Sequence, residues 1–138
     1  MKKVFVDTAF WVSFINPEDR NYEFTQHLAK KYELAGWVTT DAVLWETLSF
    51  YSRFSPAIRV SVAETLEALY SESHIAIVTG GKNWLIAATE FYRKRPDKHW
   101  SGVDCFSMLV MESKAIQDVL TTDHHFKQAG FNALMLEE

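Results

Sequence analysis

Five short apolar runs, separated by longer segments with helical spacing, constrain this chain more than any other feature. Val4-Phe5-Val6 reads as a buried strand and Trp37-Val38-Thr39 as a second. Ile75-Ala76-Ile77-Val78 is a third, Val119-Leu120-Thr121 a fourth, and Ala133-Leu134-Met135 a weaker fifth. Between them, residues 20–35 carry Phe24, Leu28 and Tyr32 four apart. Residues 42–54 carry Trp45, Leu48 and Tyr51 on one face, and residues 57–72 carry Val62, Leu66, Leu69 and Tyr70. Residues 83–94 and 102–115, rich in Ala, Leu, Met and aromatic side chains, complete the set of predicted helices. Strands joined through helices of this length predict parallel βαβ units with helices on both faces of a sheet.

The 138 residues suit one domain over 1–138, and 48% hydrophobic residues supply a core without staples. Cys105 is the only cysteine, which excludes an internal disulfide and a cysteine-based zinc site. The apolar stretch after Met1-Lys2-Lys3 is four residues long, too short for a signal-peptide core. No uncharged apolar run approaches the roughly 18 residues of a membrane span. A reducing, cytoplasmic setting with no membrane contact is the expectation. Net charge is −4, so nucleic-acid binding has to rest on local clustering.

Ligands of open parallel sheets bind outside the carboxyl ends of the strands, and acids stand at those ends. Asp7 and Thr8 follow the first strand; Asp41 follows the second, with Glu46 about one turn into the next helix; Asp123 follows the fourth. Asp104 opens a helix in Ser101-Gly102-Val103-Asp104. Each has a structural explanation. Asp and Thr accept the unpaired N–H groups of a helix start, S-x-x-D is a capping box, and a helical Glu in solvent costs nothing. Collectively, carboxylates meeting at one sheet end would repel each other unless a cation neutralised them. Their hard oxygen donors suit Mg²⁺ or Mn²⁺. Such an ion activates water for in-line attack on a phosphodiester and stabilises the leaving oxygen.

Four segments together resemble the acidic motifs of PIN domains, in order and spacing, over essentially the whole chain. They are Val4-Phe5-Val6-Asp7-Thr8, Thr40-Asp41-Ala42-Val43-Leu44-Trp45-Glu46-Thr47, Ser101-Gly102-Val103-Asp104-Cys105-Phe106-Ser107, and the stretch Leu120 to Phe131. The last resembles the family's T-x-D-x-x-F-x-x-x-G-F ending and is the most specific; the first alone is weak. The resemblance implies a three-layer α/β/α sandwich around a mostly parallel sheet of four or five strands. It also implies Mg²⁺- or Mn²⁺-dependent cleavage of RNA. Many small stand-alone members are VapC-type toxins, restrained by an antitoxin and commonly homodimeric. By position, Asp7 and Asp104 match the principal metal ligands, and Glu46 and Asp123 the acids that complete the site. Thr8 falls where a family hydroxyl orients water or phosphate. Asp97, after Pro96 on an expected exposed turn, is left out of the ligand set. Cys105 stands where many relatives have Ala.

Residues 91–100 hold four cations, Arg93, Lys94, Arg95 and Lys98, against one anion, with aromatic residues on both sides. Phosphates pair with such cations and unpaired bases stack on such rings, which makes this the expected RNA-binding segment. The helix dipole alone also favours cations at a helix end. His124 and His125 receive no role, and the five tryptophans are expected in the core, with Trp11 and Trp100 flanking the cleft. Two other functions compete. A haloacid-dehalogenase-type phosphotransferase needs D-x-D after the first strand, and position 9 is alanine. A non-catalytic PIN-like module would bind RNA or protein without the intact acids having a use.

Overall fold

In the computed structural model, which describes residues 2–136, β1 (Lys3–Val6) forms the middle of a five-stranded sheet. The strands β2 (Gly36–Thr40), β3 (Ile75–Val78), β4 (Asp118–Leu120) and β5 (Asn132–Ala133) all run parallel to it, in the order β3-β2-β1-β4-β5. Parallel strands need crossovers, and helices supply them. α1 (Thr8–Ile15) and α2 (Tyr22–Lys31) lead to β2, and α3 (Asp41–Phe50) and α4 (Pro56–Leu69) to β3. α5 (Lys82–Lys94) and α6 (Gly102–Ser113) return the chain to β4, and α7 (His124–Gln128) precedes β5. α1 packs against α2, α3 and α4, whereas α6 packs against α5 and α7. With right-handed crossovers this places α1–α4 on one face of the sheet and α5–α7 on the other. The three-layer expectation is met.

The strand order decides where a site can open. From β1 the chain steps to β2 on one side, and it later returns to the other side with β4. Connections leaving the carboxyl ends of β1 and β4 therefore diverge on opposite faces and open a crevice between them. The end of β2 is tied to this rim. Thr39 Oγ1 donates to the Val6 carbonyl at 2.8 Å, and Thr40 Oγ1 caps α3 by accepting from Val43 N at 3.1 Å. Both hydroxyls are fully buried and both are satisfied, which is the condition for polar groups in a sheet interior.

Packing explains the other local choices. Ser55 caps α4 with Pro56 in its first turn, where the missing N–H costs nothing. The F-x-x-x-G-F ending closes α7. Phe126 is fully buried, Gly130 takes φ +94°, and Phe131 N–H donates back to the Phe126 carbonyl at 3.0 Å. That left-handed turn is where glycine avoids the Cβ penalty. Phe10, Trp11 and Trp37 meet edge-on or tilted at 5.5–5.9 Å and fill the layer beneath α1.

Three expectations need correction. The segment after Asp7 forms a two-turn helix, α1, that periodicity did not announce. On α3 the buried side chains are Val43, Leu44 and Thr47, with Tyr51 beyond its end, whereas Trp45 is 68% and Leu48 39% exposed. Spacing of three and four fits either stripe, and burial falls on the one holding Val43, Leu44 and Thr47. Trp45 is therefore outside the core that holds Trp11, Trp37 and Trp100, and Tyr70 at the end of α4 is likewise 63% exposed. Among the described residues, no helix is long and apolar enough to cross a membrane.

Candidate metal centre

Asp7 ends β1 at the mouth of the crevice and is 5% exposed. One oxygen, Oδ2, accepts from Thr121 Oγ1 at 2.8 Å, a contact between residues 114 apart in sequence. Thr121 is itself fully buried and accepts from Asp123 N at 3.0 Å. A single hydroxyl thus joins the acids following β1 and β4. Asp123 caps α7 by accepting from His125 N at 2.9 Å.

The other two acids come from helices. Glu46 lies one turn into α3, half-buried, and Thr8 Oγ1 at the start of α1 donates to its Oε1. Asp104, 7% exposed, closes the capping box of α6. Its Oδ2 accepts from Ser101 N at 3.0 Å, while its own N–H donates to Ser101 Oγ at 3.0 Å. The cap and the cleft are compatible uses of one side chain, because a carboxylate has two oxygens. Among the described residues Glu46 Oε2, Asp104 Oδ1 and Asp123 Oδ2 have no hydrogen-bond donor. In these three acids, protein donors hold one oxygen and leave the other without one.

Asp7, Thr8, Glu46, Asp104 and Asp123 all line one cleft of about 500 Å³, with Asn21, His99, Ser101 and His125 beside them. Oxygens of Asp104 and Asp123 and a ring nitrogen of His125 lie within 4.8 Å of one another. Among the described residues no lysine or arginine pairs with any of the four acids. The electrostatic result falls on Asp7. Burial pushes its carboxyl up to about 7, against the pull of the Thr121 hydroxyl and the Thr8 backbone N–H, and the charges of Asp104 and Glu46 push it the same way. Buried like charges without a counter-ion either take up protons or bind a cation. A set dominated by carboxylate oxygens fits a hard divalent ion.

Asp41, although it also follows a strand, stays outside. Its Oδ1 accepts from Gly80 N at 3.0 Å and fastens the loop after β3. Asp97 sits in an exposed turn beside Lys98, with Nζ 3.9 Å away. Arg93, Arg95 and Lys98 line a second cleft of about 750 Å³ with Tyr92, His99 and Trp100, and it shares His99 and Ser101 with the acidic one. Arg93 pairs with Glu90 at 2.6 Å and the Arg95 guanidinium lies 5.9 Å over the Trp100 ring; Lys94 does not line this cleft.

Two residues of the site carry little mark in the sequence. Thr121 belongs to the T-x-D element but shows no partner there, since its partner is Asp7. His125 was given no role, yet its Nδ1 lies 2.9 Å from Asp104 Oδ2 and 3.3 Å from Asp123 Oδ1. The D-x-H spacing was the available signal.

Comparison with known proteins gives the family. The family model described as PIN domain matches residues 4–132. The 23S rRNA-specific endonuclease VapC20 of Mycobacterium tuberculosis, from strains CDC 1551 and H37Rv alike, is 28% identical over 137 residues, spanning 93% of this chain and 95% of the relative. The crystal structure of M. tuberculosis VapC20, described as a Sarcin-Ricin loop cleaving toxin, superposes with a TM-score of 0.83 at 23% identity. That match covers 95% of this chain and 98% of the solved one.

Proposed function

Because this chain belongs to the PIN-domain family, we propose that it is a metal-dependent endoribonuclease, the toxin of a toxin–antitoxin pair. The observation that carries the reading is the cleft at the β1/β4 switch point, where four acids gather and, among the described residues, no lysine or arginine pairs with them. Asp7, Glu46, Asp104 and Asp123 are the residues to hold Mg²⁺ or Mn²⁺: Asp104 and Asp123 bring their oxygens closest together, and Asp7 and Glu46 line the same cleft. When bound, such an ion polarises the scissile phosphate and makes water a competent nucleophile near neutral pH.

The chain's own side chains do the rest. Thr8 orients Glu46, Thr121 orients Asp7, and the α6 capping box fixes Asp104. The basic shelf of Arg93, Arg95 and Lys98, with Lys94 beside it in the chain, attracts the RNA backbone, and Tyr92, 57% exposed, offers a face for an unpaired base. The printed activity of the VapC20 relatives makes 23S rRNA the first substrate to test. Exposed Trp45, Leu85, Ile86 and Tyr92 supply apolar surface for a homodimer or a cognate antitoxin. The cytoplasm is the setting, where the buried thiol of Cys105 stays reduced.

The test is to sequence RNA ends from cells expressing the wild type or Asp104→Asn. New ends confined to the wild type support the nuclease and identify its target. Identical ends in both would overturn it and favour a binding module.

A further inference from the structure

Among the described residues, His125 is the nitrogen side chain grouped with Asp104 and Asp123. We propose that His125 is a positioning residue, whose Nδ1–H holds the Asp104 carboxylate while its backbone N–H holds that of Asp123, setting the two at coordinating separation before a cation arrives. The proposal rests on the reading of the cleft as a divalent-ion site. It concerns the order imposed on that site by a residue outside the acid set.

The geometry is specific. Asp104 rides on α6 and Asp123 precedes α7, so no shared element fixes their distance. His125 contacts both at once, with Nδ1 2.9 Å from Asp104 Oδ2 and 3.3 Å from Asp123 Oδ1. Ionised carboxylate oxygens only accept, so the ring proton belongs on Nδ1. The His125 backbone N–H donates to that Asp123 oxygen at 2.9 Å, which keeps the root of the side chain against Asp123, and the ring's own hydrogen bond is the one to Asp104. Asp104 Oδ2 also takes Ser101 N–H at 3.0 Å, which leaves its Oδ1 as the donor-free atom. The imidazole therefore sits against the oxygen of each acid that a backbone N–H already holds, and joins the two across α6 and α7. Without it, the two anions would separate under their own repulsion.

The competing role is direct coordination by the imidazole, and side-chain mimics separate the two. Asparagine can place an N–H close to the position of Nδ1, glutamine close to that of Nε2, and alanine places none. Mn²⁺ alone is titrated into the full chain by calorimetry for wild type, His125→Ala, His125→Asn and His125→Gln, with metal-free melts as a control on folding. Losing an outer-shell partner of a metal ligand typically costs about 10–100-fold in affinity, so His125→Ala and His125→Gln are expected to weaken binding by that factor and His125→Asn by under about threefold. If His125→Ala fails to fold, the Asn–Gln difference decides. His125→Ala binding like the wild type, or His125→Asn as weak as His125→Gln, would overturn the proposal; the second result would make the ring a ligand. A wild type that binds no Mn²⁺ near the millimolar range would instead bring down the metal reading of the cleft.

Discussion

Replacing Asp7 by asparagine is expected to stabilise the metal-free protein above neutral pH while destroying its use of metal. The carboxyl rises from an ordinary 3.8 to about 7 in the fold, chiefly because it is buried. A folded value above the unfolded one means that the group favours the fold fully below the unfolded value. That contribution is lost as pH climbs through the folded value. Three units at about 1.4 kcal/mol each amount to about 4 kcal/mol of lost stability by pH 8. Asparagine keeps an oxygen to accept from Thr121 but brings an N–H₂ that needs a partner, at a cost of about 1–3 kcal/mol. The variant should therefore be equal or less stable than the wild type near pH 4, and more stable by about 1–3 kcal/mol at pH 8. Metal-free urea melts across that range measure the difference directly, since acid effects common to both proteins cancel. Mn²⁺ should raise the melting temperature of the wild type and leave the variant where it is. A stability difference that stays flat from pH 4 to 8 would refute the account of Asp7 as an unneutralised buried acid.

Thr121→Val removes a buried hydroxyl that serves Asp7 and Asp123 together; urea melts should show a loss of about 1–3 kcal/mol, and cleavage should fall with it. Glu46→Gln keeps an oxygen for Thr8, so metal-free stability should change by no more than about 0.5 kcal/mol while calorimetry shows weakened Mn²⁺ binding. Chelator should abolish cleavage and Mn²⁺ restore it, with the ion adding about 2.7 kcal/mol of stability at a hundredfold excess over its dissociation constant. Replacing Arg93, Lys94 and Arg95 by alanine should weaken RNA binding and flatten its salt dependence by at most about 2 log–log slope units, at about 0.7 per single-strand phosphate contact. An unchanged slope in filter-binding titrations would place the phosphate contacts elsewhere.

The sheet was legible because four of its strands are apolar and lie between helices, and the acids because each follows a strand or opens a helix at family spacing. α1 was not legible. Thr8–Ile15 is only two turns long, and Phe10, Trp11, Val12 and Ser13 are all buried, so no polar face marks a period. Trp45 misled for the converse reason: a large ring at helical spacing resembles core, and only the burial of Val43, Leu44 and Thr47 shows which stripe faces inward. Thr121 and His125 act across 114 and 21 residues of chain, on Asp7 and Asp104. Hydrogen-bond partners that far apart leave no local pattern. They become visible only when β4 lies beside β1.

Because β4 is the neighbour of β1 and not a distant edge, no stretch of the chain that stops short of residue 118 contains a working cleft. A polypeptide emerging from the ribosome holds Asp7, Glu46 and Asp104 early, yet lacks both the strand that seats Asp7 from the other side and the fourth acid. Pairing of such remote segments is also slow to form. A nuclease built this way closes its acidic cleft only once synthesis has passed its last acid.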